Sequence, residues 1–132
     1  MFFSHPADFT PVCTTWLAMG TEAQAVDAAL SLRQRGAATV VVSRGVEPAV
    51  VATGELLVRV AAPTLHEVDH RGAGDSMSGA TVAALLFGFA PMDAVRLGAA
   101  AGAGNVIRHG LGSGTPDLVE RLAELVTIEE LR

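Results

Sequence analysis

The chain has no lysine, no tyrosine, one cysteine and only 5% aromatic residues. All nine basic side chains are therefore arginines, and the formal net charge of −5 argues against a nucleic-acid partner, which requires clustered positive charge. Cys13 alone cannot form an internal disulfide, so we expect a cytosolic location. No membrane partner is expected, because the most apolar run, residues 79–92, is too short to span a bilayer and the first residues lack a signal-peptide pattern.

Half of the 132 residues are hydrophobic and 17% are charged, which predicts one ordered domain with extensive burial. A helix is predicted to open at the capping residue Thr21 and to stop at Gly36. The β-branched run 37–43 follows and indicates a buried strand. Strands 49–52 and 56–60 flank a Thr-Gly-Glu turn, a pattern typical of a hairpin.

Three helices are predicted in the second half of the chain. The first, Ser76–Phe89, is apolar almost all round and rich in small residues. The second begins at Pro91, with Gly102 and Gly104 expected to end or distort it. The third begins at Pro116. Its apolar face is formed by three leucines: Leu118, Leu122 and Leu125. The order helix, strand, hairpin, loop and three helices suits the C-terminal part of an α/β layered domain.

The segment GAGD at 72–75 carries the strongest chemical signal. Gly72 and Gly74 can adopt positive φ, which allows backbone N–H groups to converge on an anion, and a following helix start adds its dipole. Asp75 would then stand beside a bound phosphate, where it could take a proton from an attacking hydroxyl. Alternatively, Asp75 is an N-cap that stabilises the helix by about 1 kcal/mol. The residues alone leave both interpretations open.

The longer segment VDHRGAGDSMSGA resembles the second signature of the ribokinase/PfkB carbohydrate kinases. VVVSRG is similar to that family's strand along the nucleotide, and AAAGAGNVIRHGLGSG to its helix and loop on the adenine side. In order and spacing, residues from about 22 to 127 look like the C-terminal half of such a kinase, closest to 1-phosphofructokinase-like members. The resemblance implies a ribokinase-like layered α/β fold, of which this chain is the C-terminal portion only.

The same resemblance implies ATP-dependent phosphorylation of a sugar or sugar-phosphate hydroxyl, with Mg²⁺ bridging the phosphates and Asp75 as the catalytic base. The implied nucleotide-contacting residues are Ser43, Gly45, Gly72, Ala73, Gly74 and Asn105. His70 and Arg71 stand where threonines are usual, which weakens the expectation of a monovalent-cation site at Asp69. No protein metal ligand is assigned, because the family's Asn-x-x-Glu motif is absent, although Glu22 supplies a glutamate near its place.

Residues 1–20 are predicted to form an irregular arm, distinct from a nucleotide-binding portion at 21–132. Within this arm, FFSHPADFTPVCTT resembles the peroxidatic segment of the 1-Cys peroxiredoxins. That resemblance implies a thiol peroxidase with Cys13 as the thiolate, Thr10 as its hydrogen-bond partner and Pro6 as its shield. A non-catalytic nucleotide-binding or structural module is a further alternative. We also expect an exposed sheet edge, through which the chain could form a homo-oligomer.

Overall fold

The computed structural model describes residues 2–3, 20–66, 72–107 and 114–131. The chain divides into two compact units, Met1–Val60 with Ile128–Arg132, and Ala61–Thr127. We call the first the sheet unit and the second the helical unit.

The described ranges contain five strands and four helices. Their bounds are β1 Phe2–Phe3, α1 Glu22–Gln34, β2 Thr39–Arg44, β3 Glu47–Ala52, β4 Leu57–Ala61, α2 Ala73–Leu86, α3 Pro91–Val106, α4 Pro116–Ala123 and β5 Thr127–Glu130. The strands form one sheet in the order β1-β2-β3-β4-β5, and β1 to β4 pair antiparallel with their neighbours.

Helix α1 begins and ends where the sequence predicts. The Thr21 hydroxyl accepts from the Gln24 N–H at 3.3 Å, and the Gln24 side chain accepts from the Thr21 N–H at 3.0 Å, so the two residues form a capping box. At the other end, the Arg33 guanidinium donates to the carbonyls of Ala37 and Ala38, and Gly36 adopts a left-handed φ of 102°. The capping box satisfies N–H groups that a bare helix start leaves unpaired, and the Arg33 bonds fix the loop after the helix.

The core of the sheet unit forms where α1 packs against β2 and β3. Its buried members are small or β-branched: Ala25, Ala29, Val40, Val42, Val50 and Ala52. The predicted hairpin is confirmed as β3 and β4. Its turn is fixed by Thr53, whose hydroxyl accepts from the N–H groups of Leu56 at 3.0 Å and Glu55 at 3.3 Å. Successive side chains of a strand point to opposite faces of the sheet, so every second residue of β2 and β3 faces α1 and joins this core.

Strands β1 and β5 are not among the predicted elements. β1 lies inside the expected irregular arm and pairs through Phe2 and Phe3 with Val40 and Thr39. β5 is short and largely exposed, and just after it the Leu131 N–H donates to the Leu57 carbonyl at 2.8 Å. Both strands depend on pairing with residues distant in sequence, which local patterns do not encode.

Helices α2 and α3 of the helical unit both differ from their predictions. α2 begins at Ala73, three residues before the predicted start, and ends at Leu86. α3 continues through Gly102 and Gly104 to Val106, so the expectation that these glycines end or distort the helix is wrong. Close packing explains this: a Cβ at Gly102 would lie 3.0 Å from the Ala73 carbonyl oxygen. Tertiary contacts thus offset the roughly 1 kcal/mol helix penalty of each glycine.

Helix α4 is shorter than its leucine pattern indicates. It begins at the predicted Pro116, and Leu122 is buried, but the helix ends at Ala123 and Leu125 is 59% exposed. The Arg96 guanidinium on α3 donates to the Val126 carbonyl at 2.6 Å. This bond joins the segment between α4 and β5 to α3.

Candidate functional site

The glycine segment forms the start of α2. Gly72 is the N-cap residue, with a left-handed φ of 75° that a residue with a Cβ adopts only at a cost. Asp75 is the third residue of the helix and is exposed. The alternative in which Asp75 caps the helix is therefore wrong, because the capping position belongs to Gly72.

The first turn of α2 presents backbone donors. The first intrahelical bond runs from the Ser76 N–H to the Gly72 carbonyl at 2.8 Å, so the N–H groups of Ala73, Gly74 and Asp75 have no acceptor within the helix. No described atom lies within 4 Å of the position that a Cβ would take at Gly74. Together with the helix dipole, these donors favour an anion beside the Asp75 carboxylate.

Asn105 lies at the same end of the helical unit. It belongs to the last turn of α3 and is only 2% exposed. The Ser76 hydroxyl, adjacent in sequence to Asp75, donates to its Oδ1 at 3.1 Å. The structure therefore brings together five of the residues expected from sequence: Gly72, Ala73, Gly74, Asp75 and Asn105.

A cavity of about 480 Å³ adjoins this turn. Its polar lining residues are Ser76, Asn105, Thr115 and Glu120. The rest of its wall comes mainly from small or apolar residues of α2, α3 and α4, including Gly79, Ala80, Leu97 and Ala101. A concave, largely apolar space with a few polar groups is typical of a small-molecule site, and this volume is ample for a nucleoside.

Sequence reasoning missed three of the four polar cavity residues: Ser76, Thr115 and Glu120. A hydroxyl one residue after Asp75 was the available signal for Ser76. Thr115 and Glu120 carried none, because a cap residue and a surface glutamate of an amphipathic helix are ordinary features. Their place in the cavity depends on how α3 and α4 pack, which the local pattern does not specify.

Ser43 and Gly45 lie in the sheet unit, at the connection between β2 and β3. The strand pairing shifts register between Val42 and Arg44, and Ser43, at that irregularity, is exposed. Gly45 has a φ of 66°, which the tight turn requires. Their nucleotide contacts stay a prediction. Asp69 lies outside the described residues.

The described residues contain no cluster of side chains that could bind a metal ion without further ligands. Within 20–66, 72–107 and 114–131, no three His, Cys, Asp or Glu side chains come together as a metal site. Glu22 is engaged elsewhere, because its Oε1 accepts from Arg59 Nη2 at 3.1 Å. Asp75 is the carboxylate at the start of α2, and this suits Mg²⁺, which binds through one or two carboxylates together with substrate phosphates.

Comparison with known proteins shows which family the sequence matches. Residues 10–118 match the model of the pfkB family carbohydrate kinases. An ATP-dependent 6-phosphofructokinase isozyme 2 of Mycobacterium tuberculosis is 39% identical over 106 residues, 80% of this chain and 31% of that protein. A 1-phosphofructokinase of Haloferax volcanii is 34% identical over 109 residues, 83% of this chain and 35% of that protein. The chain thus spans about a third of the length of these relatives.

The fold comparison agrees. Ribokinase from Thermotoga maritima superposes with a TM-score of 0.68 and 29% sequence identity, over 75% of this chain and 34% of its own. The predicted ribokinase-like α/β fold is therefore confirmed, as part of a larger fold.

The peroxiredoxin resemblance is not supported. The kinase family match begins at residue 10 and so includes Thr10 and Cys13, and the relatives are sugar kinases. Pro6, Thr10 and Cys13 lie outside the described residues. In the part of the chain that the structure describes, no helix has the length and apolar character needed to cross a membrane.

Proposed function

Because the chain belongs to the pfkB family of carbohydrate kinases, we propose that it serves ATP-dependent phosphorylation of a sugar or sugar-phosphate hydroxyl. The observation that carries the proposal is the exposed first turn of α2, where Asp75 stands among backbone donors beside the cavity. Both named relatives are phosphofructokinases, so a fructose phosphate is the acceptor to test first.

The nucleotide lies with its nucleoside in the cavity and its phosphates toward the start of α2. Support comes from chemistry: the cavity wall is largely apolar, whereas the first turn offers N–H donors and the positive end of a helix dipole. Glu120 carries negative charge in the cavity wall and disfavours the opposite orientation, which would place phosphates beside it. Ser43 and Gly45 are proposed as further nucleotide contacts.

Asp75 acts as the general base. Its carboxylate takes the proton of the acceptor hydroxyl as the oxygen–phosphorus bond forms and the bond to the leaving nucleoside diphosphate breaks. The N–H groups of Gly74 and its neighbours stabilise the negative charge on the transferring phosphoryl group. Mg²⁺, when bound with the nucleotide, would neutralise phosphate charge, and one oxygen of the Asp75 carboxylate would contribute a ligand while the other accepts the proton.

Nucleotide binding without transfer is the second candidate function. It is favoured by what the described residues supply, because the first turn of α2 and the cavity suit a nucleotide and none of these residues is assigned to the acceptor. A cytosolic location and self-association through a sheet edge stay part of the proposal.

Calorimetry with ATP and a coupled assay with fructose 1-phosphate and fructose 6-phosphate separate these functions. For a kinase, Asp75→Asn should retain ATP affinity within about threefold and lose at least 100-fold in transfer rate. ATP binding without transfer in the wild type supports the second candidate. No ATP binding would refute both.

A further inference from the structure

We propose that Ser76 and Asn105 are a positioning pair, which holds the first turn of α2 in the geometry that receives phosphate. The inference rests on the proposed function and deepens it, because it names what orients the turn that bears Asp75. Neither side chain needs to touch the phosphate for this role.

The start of α2 lacks the devices that stabilise the other helix starts. α1 and α4 open on Thr21 and Thr115, whose hydroxyls accept from N–H groups in the first turn, and α3 opens on Pro91. α2 opens on Gly72, with no side-chain cap and no proline. A first turn without a cap frays readily, since its N–H groups have no intrahelical partner.

A conventional cap would conflict with anion binding. A Ser, Thr, Asp or Asn at the N-cap would place its own oxygen on an N–H of the first turn, the group that a phosphate requires. The turn must therefore be fixed from another side if its donors are to stay available.

The Ser76–Asn105 hydrogen bond supplies such a fixation. It joins side chains 29 positions apart at 3.1 Å and ties the end of the first turn of α2 to the last turn of α3. Asn105 is 2% exposed, so its carbonyl oxygen depends on protein donors rather than on water. Loss of the Ser76 hydroxyl would remove this link between the two helices.

Gly102 provides a second anchor for the same turn. A Cβ at this position would lie 3.0 Å from the Ala73 carbonyl oxygen and 3.3 Å from the Met77 Cβ. The backbone of α3 therefore approaches the first residue of α2 as closely as a glycine permits. The first turn of α2 therefore packs against α3 at Ala73, whereas no described atom lies within 4 Å of a Cβ placed at Gly74.

The test compares Ser76→Ala with Ser76→Thr, which keeps a hydroxyl. Thr81→Val is the control. Thr81 is a hydroxyl residue of α2 that lies buried against α3, but its hydroxyl donates to the Met77 carbonyl at 2.7 Å, away from the first turn. Each variant is titrated with ATP and with adenosine, which lacks phosphates. Hydrogen exchange is measured at the amide of position 76, which donates to Gly72.

Ser76→Ala should weaken ATP binding, lower the ratio of ATP to adenosine affinity about tenfold, and speed exchange at position 76. Ser76→Thr should restore all three values toward wild type. Thr81→Val should lower the melting temperature without changing the ratio of ATP to adenosine affinity. An unchanged ratio in Ser76→Ala, or the same change in Thr81→Val, would overturn the positioning role.

Failure of the proposed function gives a different result. A wild-type chain that binds neither ATP nor adenosine refutes the nucleotide site. Exchange at position 76 then decides alone whether the pair holds the turn: faster exchange in Ser76→Ala supports it, and unchanged exchange overturns it.

Discussion

Gly98 of α3 lies against Thr81 of α2 so closely that a Cβ on Gly98 would be 1.9 Å from the Thr81 hydroxyl oxygen and 2.7 Å from the Met77 carbonyl oxygen. Both Gly98 and Thr81 are buried. The two helices pack at this distance because neither carries a bulky side chain at the contact. Together with Gly102 four residues later, Gly98 defines the face of α3 that supports the start of α2.

Gly98→Ala should destabilise the chain by about 1–3 kcal/mol, because the new methyl group overlaps backbone as well as side-chain atoms and the helices must separate. Chemical denaturation measures the change. Gly79→Ala is the control: Gly79 is exposed on α2 with no described atom within 4 Å of a Cβ, so this variant should be up to about 1 kcal/mol more stable. Equal effects of the two changes would contradict the packing described.

Glu22→Gln should reduce stability by no more than about 1 kcal/mol, because Glu22 and Arg59 are both about a third exposed and water screens their attraction. Arg59 Nε lies 3.1 Å from Glu22 Oε2. The loss should shrink in 1 M salt. Asp27→Asn, on the same helix and without an ion pair in the described part of the chain, should change stability less. A larger effect of Asp27→Asn would argue against this ion pair.

Gly72→Ala should cost about 1 kcal/mol of stability, because its φ of 75° is unfavourable for a residue with a Cβ. It should also weaken ATP binding, since the distorted turn moves the donors at Ala73 and Gly74. Gly88→Ala, at the other end of α2 with a φ of 89°, carries a similar conformational cost and should leave ATP affinity unchanged. Calorimetry on both variants, with melting temperatures, separates strain from binding.

Ala80→Leu should fill part of the cavity and weaken both ATP and adenosine by at least about tenfold, the equivalent of 1.4 kcal/mol. Ala83→Leu adds the same side chain to an exposed position of α2, so it should bind both ligands normally. If Ala80→Leu binds adenosine as well as wild type, the nucleoside does not occupy this cavity.

Helix boundaries and the hairpin turn could be predicted from neighbouring residues alone. Thr21, Gly36, Pro91 and Pro116 each mark a helix boundary through capping or backbone restriction, and the structure places a helix end at or next to each. The Thr53 turn is likewise encoded by adjacent residues.

The full length of α3, strand β5 and the start of α2 could not be predicted from neighbouring residues. α3 passes through Gly102 and Gly104 because α2 and α4 pack closely there, which overrides the low helix propensity of glycine. β5 reads TIEE and acquires strand structure only beside β4. The early start of α2 follows from the left-handed conformation of Gly72, which the sequence permits but does not require.

In the candidate site too, some features could be predicted from local sequence and others depend on tertiary packing. Asp75, Gly72 and Gly74 could be found from sequence, because a carboxylate beside closely spaced glycines is itself the pattern that indicates an anion site with a base. The cavity and the bond between Ser76 and Asn105 could not, since they arise from the packing of α3 against α2 and α4.

The central claim is that the first turn of α2 receives the phosphates of ATP, and amide-resolved NMR titration tests it most directly. ATP should shift the amide signals of Ala73, Gly74 and Asp75, whereas adenosine should shift only those around the cavity, such as Ala80 and Ala101. The reverse pattern, or saturation with ATP that leaves the three first-turn amides unmoved, would contradict the account.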